Sequence, residues 1–342
     1  MTAISAQGDL EVELLNPETA GAYLLARGLA APAEPVEVVE LGGGVSNVVL
    51  AVTAGRLRAV VKQSLEKLRV TDDWYAKRER IITEARALQL AGRLRLGSVP
   101  QVIDVDSERG IIVIDRAPDG WANFKEELLQ GRADASVAAR CGEILAAWHS
   151  GTWCSDEVRA SFDDLEAFDQ LRVDPYYRTV AGRIPEIRPF ISSYVSQMGA
   201  NRKALVHGDF SPKNVLYGTN DLWILDFEVA HFGDPAFDLA FMLNHLMLKA
   251  IHSPRWSSRY EFCAGEFWNS YRQSLTVSED PDAAYVLGHL GCLMLARVHG
   301  KSPAEYLTDP GRTHARALGT SLAKDPPPSL EEAWARLERT AA

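Results

Sequence analysis

The chain has 342 residues, 46% of them hydrophobic and 24% charged, with a formal charge of −10. That size and apolar content support one large or two medium domains around a substantial core. The acidic balance argues against nucleic-acid or anionic-membrane surfaces, because phosphate backbones demand clustered Lys and Arg. A small-molecule partner is therefore expected, with no nucleic acid and no membrane, and the composition leaves the oligomeric state open. The opening MTAISAQGDLEVELLNPE lacks the basic, then apolar, then small-residue order of a secretory signal. No apolar run approaches the roughly 18 to 20 residues of a membrane span, so a cytoplasmic location is expected. Cys141, Cys154, Cys263 and Cys292 show no C-x-x-C spacing, which reads as scattered reduced thiols rather than a zinc site or a disulfide framework.

From Val36, the stretch VEVVELGGGVSNVVLAVTAGRLRAVVKQS holds three β-rich runs separated by a triple glycine and an Ala-Gly turn, a three-strand meander. DDWYAKRERIITEARALQLAG predicts a helix with Ile81, Ala85 and Leu88 on one face and acids at its start suited to the helix dipole. VPQVIDVDSERGIIVIDRAPDGW adds two strands around a Ser-Glu-Arg-Gly turn. Five strands and one main helix make a small N-terminal lobe. After Gly120 the pattern turns helical, as in SVAARCGEILAAWHSG, and the boundary is placed at 116/117. A hairpin turned at YGTND interrupts these helices, and DPAFDLAFMLNHLMLKAI resumes them. The last helix follows DPPPS, where Ser329 and Glu332 have capping-box spacing.

The interrupting stretch, VHGDFSPKNVLYGTNDLWILDFE, sets Asp209, Asn214, Asp226 and Glu228 among apolar residues. Unpaired buried carboxylates cost several kcal/mol each, so cations are expected between them. His207-Gly208-Asp209 and Asn214 keep the five-residue Asp-to-Asn interval of the kinase catalytic loop H-R-D-x-x-x-x-N. In a short hairpin Asn214 and Asp226 can converge on one face, and such hard oxygen ligands suit Mg²⁺. Asp209 would then face an acceptor hydroxyl.

On these motifs the sequence resembles the aminoglycoside phosphotransferase and choline kinase superfamily, protein-kinase-like enzymes that phosphorylate small molecules. The resemblance runs from about Val36 to Leu246, and HGDFSPKNVL with LDFEVAHFGDPAFDLA is its most specific part. It implies an α+β, bilobal protein-kinase-like fold, with a nucleotide-binding lobe over 1–116 and a mostly helical catalytic and acceptor-binding lobe over 117–342. It implies ATP and Mg²⁺ as cofactors, Asp209 as the catalytic aspartate, and Asn214 and Asp226 as metal ligands. Glu228 departs from the D-F-G glycine of protein kinases and resembles the D-x-E of choline and methylthioribose kinases, where the acid helps bind metal. Asp238 resembles an aspartate that opens a helix and braces the catalytic loop, and His207 is expected to brace that loop rather than transfer protons.

Lys62, ending LRAVVK, resembles the third-strand lysine of V-A-I-K that contacts the α- and β-phosphates. A lysine in an apolar strand needs a carboxylate partner: Glu84 on the inward helical face, with Glu79 as the alternative. GGGVSN would cover the phosphates, which assigns Gly43, Gly44, Ser46 and Asn47 to their neighbourhood. IVIDRAP would be the hinge, with Asp115 and Ala117 offering backbone groups to adenine.

The helix at GDPAFDLA opens within a dozen residues of Asp226 and no A-P-E appears, which leaves no peptide-docking segment and favours a small hydroxylated acceptor. Aminoglycoside, methylthioribose, choline and homoserine acceptors stay open, as does a pseudokinase with a regulatory role; an atypical protein kinase is disfavoured. SDEVRASFDDLEAFDQLRVD, acidic against two arginines, is either a wall for a cationic substrate or a solvated helix face. Trp256, Tyr260, Trp268 and Tyr271 are either a stacking platform or ordinary helical core, the latter favoured by their spacing. Lys213, Arg297 and His299 are possible anion contacts.

Overall fold

The computed structural model describes residues 13–42, 46–69 and 74–340. The three predicted meander strands form as β1 (Val36–Glu40), β2 (Asn47–Ala54) and β3 (Leu57–Ser64). Together with β4 (Val102–Asp106) and β5 (Ile111–Asp115) they make an antiparallel five-stranded sheet in the order β1-β2-β3-β5-β4. β3 is its centre, with Lys62 registered between Val49 on β2 and Ile112 on β5. Alternation along β3 separates the faces. Val61 joins a small core with Leu50, Val52 and Val113, while Lys62 turns toward the helix α2 (Arg80–Leu94).

Two features of this lobe depart from the sequence expectation. α2 starts at Arg80, eight residues into the predicted span, with no acid in its first turn. A further helix, α1 (Pro17–Ala26), lies before the sheet and buries Ala20, Tyr23 and Leu24. Its signal was a capping box, in which Asn16 accepts from the Thr19 N–H and the Thr19 hydroxyl accepts from the Asn16 N–H.

Beyond β5 the chain is mostly helical: α3 (Phe124–Leu129), α4 (Ala135–Thr152), α5 (Asp156–Ser161), α6 (Glu166–Phe168), a π-helical stretch over Asp169–Arg178, α7 (Thr179–Arg183) and α8 (Arg188–Ala200). After the catalytic-loop region come α9 (Ala236–His252), α10 (Ser257–Ser274), α11 (Ala283–His299), α12 (Asp309–Lys324) and α13 (Leu330–Thr340). α9 is the central pillar, apolar nearly all round because α10, α11 and the π-helical stretch surround it. The predicted hairpin forms from β8 (Val215–Tyr217) and β9 (Leu222–Ile224), and the short β6 (Ala122–Asn123) widens it to three strands. A second pair, β7 (Ala204–Val206) with β10 (His231–Gly233), brackets it. Among the described residues no helix is long and apolar enough to cross a membrane.

Tyr260, Trp268 and Tyr271 are buried on α10, with the Tyr260 hydroxyl donating to the Leu128 carbonyl and Tyr271 bonded to His149. The core reading of these aromatics is the one realised. At the α4 to α10 contact a Cβ on Gly142 would sit 2.4 Å from the Phe267 carbonyl oxygen. Gly142→Ala should therefore destabilise the protein by about 1–3 kcal/mol. A denaturant midpoint equal to that of the parent protein would show that the helices do not approach so closely.

Candidate functional site

The seam between sheet and helices is where the acids of the hairpin region meet their cations. Lys62 Nζ lies 2.5 Å from Glu84 Oε1 and 2.9 Å from Asp226 Oδ1, tying β3, α2 and the segment after β9 together. Glu84 is fully buried and is the partner chosen, whereas Glu79 is exposed at the helix start. Burial works against the Lys62 charge, but Asp226 and Glu84 outweigh it and hold the ammonium above its ordinary range. Burial likewise opposes ionisation of Asp226, yet Lys62 and Lys213 hold its carboxyl well below the usual carboxylate range. For Glu84, burial outweighs the pull of Lys62 and pushes the carboxyl up. Asp226 adopts φ of 73°, a left-handed conformation uncommon outside glycine, so its backbone is held by the surroundings rather than by preference.

Glu228 crosses the same seam. Its Oε1 accepts from Ser46 Oγ at 2.8 Å, and its Oε2 accepts from Asn47 Nδ2 and Arg80 Nε, both at 3.1 Å. Arg80 is buried, and its remaining N–H groups donate to the carbonyls of Ser46, Leu65, Ala76 and Lys77. One guanidinium thus fastens the start of β2, the end of β3 and the turn before α2 to an acid of the helical lobe. The sequence reading missed Arg80, although it lies four residues before Glu84 on the same helical face.

The catalytic-loop motif is held from below by α9. Asp238, in its first turn, accepts from the His207 and Gly208 backbone N–H groups at 2.7 and 2.9 Å. His207 Nδ1 accepts from the Asp209 N–H and its Nε2 donates to the Leu225 carbonyl, which engages both ring nitrogens with backbone; burial lowers its pKa. Gly208 has φ of 76°, and a Cβ there would meet the Val229 carbonyl at 2.8 Å. The loop then presents Asp209, whose Oδ2 receives Lys213 Nζ at 2.8 Å, Asn214 Nδ2 at 2.9 Å and an Arg172 terminal nitrogen at 3.0 Å. Burial disfavours this carboxylate, but Arg172 and Lys213 outweigh it and lower its pKa. Arg172 comes from the π-helical stretch, where the sequence reading saw only one of two arginines in an acidic run.

Asn214 and Asp226 stand at the open end of the hairpin, where the Leu225 N–H donates to the Asn214 carbonyl at 2.8 Å. Since the Asn214 NH₂ group faces Asp209, its carbonyl oxygen points elsewhere and is compatible with a hard cation. Among the described residues no cluster of three or more His, Cys, Asp or Glu side chains forms a protein-only cage. Asn47, Lys62, Glu84, Asp115, Ala117 and Asp226 all border one cavity of about 390 Å³ between sheet and hairpin, within the range of small-molecule sites. Val49, Leu88, Ile114, Leu216 and Leu225 supply its apolar walls. The Asp115 N–H is taken by the Gln101 carbonyl. Ser46 also borders the cavity, whereas Gly43 and Gly44 lie outside the described residues.

The acidic run is not aimed at Asp209. Asp163 pairs with Arg202, Glu166 with Lys77, Asp169 with Arg178 and Asp174 with Lys301, on exposed or half-buried ground. This is the solvated-face reading. His299 offers its backbone carbonyl to Arg183.

A five-stranded sheet closed over a helical lobe by this seam is a protein-kinase-like architecture, and solved structures share it. An aminoglycoside phosphotransferase from Alicyclobacillus acidocaldarius superposes with a TM-score of 0.55 at 14% identity, covering 97% of this chain and 99% of that one. A choline/ethanolamine kinase family protein from Mesorhizobium loti gives 0.51 at 19% identity, covering 94% of both chains. An amicoumacin kinase in complex with AMP-PNP, Ca²⁺ and Ami gives 0.55 at 15% identity, covering 93% of this chain and 99% of that one. Residues 37–273 match the Phosphotransferase enzyme family (APH), and the chain belongs to that family. Curated relatives include methylthioribose kinases of Exiguobacterium sibiricum, 22% identical over 64% of this chain, and Erwinia tasmaniensis, 23% identical over 66%. The matches span 62% and 64% of the lengths of those relatives.

The Glu228 latch carries its own test. Glu228→Gln leaves the buried Arg80 charge without its carboxylate and should destabilise the protein by about 3 kcal/mol, whereas Ser46→Ala should cost only about 1 kcal/mol. Urea unfolding of both variants reads the difference, and equal midpoints would remove Arg80–Glu228 from the account of the seam.

Proposed function

We propose that this protein transfers the γ-phosphate of ATP to a hydroxyl of a small molecule, using residues 1–116 as nucleotide lobe and 117–342 as catalytic and acceptor lobe. The observation that carries this is the Lys62 bridge to Glu84 and Asp226, placed in one cavity wall with Asp209 and Asn214 just beyond. Lys62 would contact the α- and β-phosphates, with Glu84 fixing its position. Asp115 and Ala117 would face adenine through backbone groups, and Ser46 and Asn47, with Gly43 and Gly44, would cover the phosphates. Asn214 and Asp226 would hold a divalent cation, which we take to be Mg²⁺; when bound it neutralises phosphate charge. Glu228 would join them only by releasing Ser46, Asn47 or Arg80, so nucleotide binding and the hold of the seam are coupled in this reading.

Asp209 would orient the acceptor hydroxyl and accept its proton as the oxygen bonds to phosphorus. With its pKa depressed it is a weak base, so its main effect is positioning and electrostatic, in line with a transfer that depends on alignment and charge neutralisation. The curated relatives support a metabolite hydroxyl, such as that of a thiosugar, as a second reading of the acceptor.

Asp209→Asn should cut kcat by roughly 10²- to 10⁴-fold while ATP binding persists. Unchanged turnover in a coupled ATP-consumption assay would sink the assignment. The folded pKa of Asp209 lies below its unfolded value, so its charge is present above the ordinary carboxylate range and lost only as pH falls through the depressed value. Asp209 should accordingly add no acid limb to the kcat/KM profile between pH 7 and about 5. Lys213→Met removes one compensating cation and should move the acid limb up by roughly one pH unit; an unmoved limb would dissociate Lys213 from Asp209.

A further inference from the structure

Beyond Asp209 the helical lobe gathers cations that the phosphotransfer roles leave over. From Asp209 a line of contacts runs through Arg172, over the Tyr176 ring at 5.9 Å and the Phe241 ring at 5.8 Å, to His245, whose ring lies 5.3 Å from Phe241. Phe241, His245 and Lys249 recur every four residues on α9, so they form one stripe. Lys249 is 1% exposed, and among the described residues its Nζ meets the His245 carbonyl at 3.3 Å and the Tyr306 ring at 5.8 Å. Arg297, near the end of α11, donates to Ser302 Oγ through one terminal nitrogen, while its buried Nε has no partner. The buried Tyr306 hydroxyl has none either. Lys125 and Lys213 stand exposed at the edge of the same region, joined by the Asn123 amide, which donates to the Lys213 carbonyl.

Among the described residues no acid pairs with Lys249 or Arg297. Burial lowers the pKa of Lys249 to about 7, and Lys125 and Arg297 push it the same way. His245 is held well below its ordinary range by burial and then by Lys249, Arg297, Lys213 and Lys125. The Tyr176 hydroxyl is disfavoured as an anion by burial but drawn below its usual value by Arg172 and Arg297. The carboxylates acting on this stretch are Asp209, already satisfied by Arg172, Lys213 and Asn214, together with Asp226 and Glu228, which act on Arg172 and, for Asp226, on Lys213, and are themselves held by Lys62 and Arg80. Like charges and orphan donors gathered without a counter-charge are costly unless an anion completes them.

We propose that the acceptor is itself an anion, a hydroxylated compound bearing a carboxylate or phosphate group that seats against Arg297 and Lys249, with Lys125 and Lys213 at the mouth, so that its hydroxyl meets Asp209. This rests on the phosphotransferase reading and reverses the charge expected of an amino sugar or choline. Arg297 and Lys249 act here as specificity-determining residues.

Calorimetric titration of the full chain without nucleotide tests the charge, using glycerate and glycerol phosphate against glycerol, choline and methylthioribose. At least one anion should bind roughly tenfold tighter than every neutral or cationic compound, and Arg297→Met should weaken it by about the same factor. The exposed Lys125→Glu, which leaves the core untouched, should also weaken it, and the two anions separate a carboxylate from a phosphate. Preference for choline or methylthioribose, no binding of either anion, or anion affinity indifferent to both substitutions would overturn the inference. So would an Arg297→Met effect confined to ATP, which would assign the cluster to the nucleotide. ATP consumption with a neutral acceptor would overturn the inference and leave the phosphotransferase reading standing. Anion binding with no ATP consumption across the set would leave an anion site but overturn its reading as the acceptor's seat.

Discussion

The structure depends on neutralising buried carboxylates across a seam between two lobes. Glu84, Asp209 and Glu228 are buried where each would cost several kcal/mol unpaired, the half-buried Asp226 stands beside them, and every one meets a cation delivered by an element other than its own. Lys62 comes from the central strand, Arg80 from the start of α2, Arg172 from the π-helical stretch and Lys213 from the turn before β8. Because Lys62 with Asp226 and Arg80 with Glu228 join opposite lobes, charge compensation is also what sets the lobes against each other, while Lys62 with Glu84, and Arg172 and Lys213 with Asp209, pair within one lobe.

Arg80 and Glu228 show how such a seam links binding to architecture. The carboxylate oxygens of Glu228 are engaged by Ser46, Asn47 and Arg80, two of which flank the glycine-containing connection between β1 and β2. Any cation or phosphate that claims one of these groups changes the hold on that connection. The latch is local electrostatics, yet it joins the start of β2 and of α2 to an acid of the helical lobe.

Much of this was legible in the chain. The strand meander, the helical lobe and the interval from Asp209 to Asn214 to Asp226 follow from periodicity and spacing that neighbouring residues impose on each other. α1 escaped because its apolar residues make a weak stripe, although Asn16 and Thr19 carry its capping signal. α2 was placed too early because the acids that head the stretch were read as its dipole-facing start, whereas the turn before Arg80 is held by that side chain bonding to the Ala76 and Lys77 carbonyls. The aromatics of α10 declared themselves as core by spacing, and the tertiary structure placed them there.

The sequence by itself determined the order of elements and which residue types could do the chemistry, because those are properties of short intervals. Only the tertiary structure decided which cation answers which acid, because such pairs join residues up to 164 positions apart, as Lys62 and Asp226 do. It also decided that the acids after Ser155 face solvent while Lys249 and Arg297 gather without a counter-charge, since burial and neighbours, not composition, set the sign of a local field. A net charge of −10 therefore coexists with a buried lysine, Lys249, whose charge Arg297 and Lys125 work against.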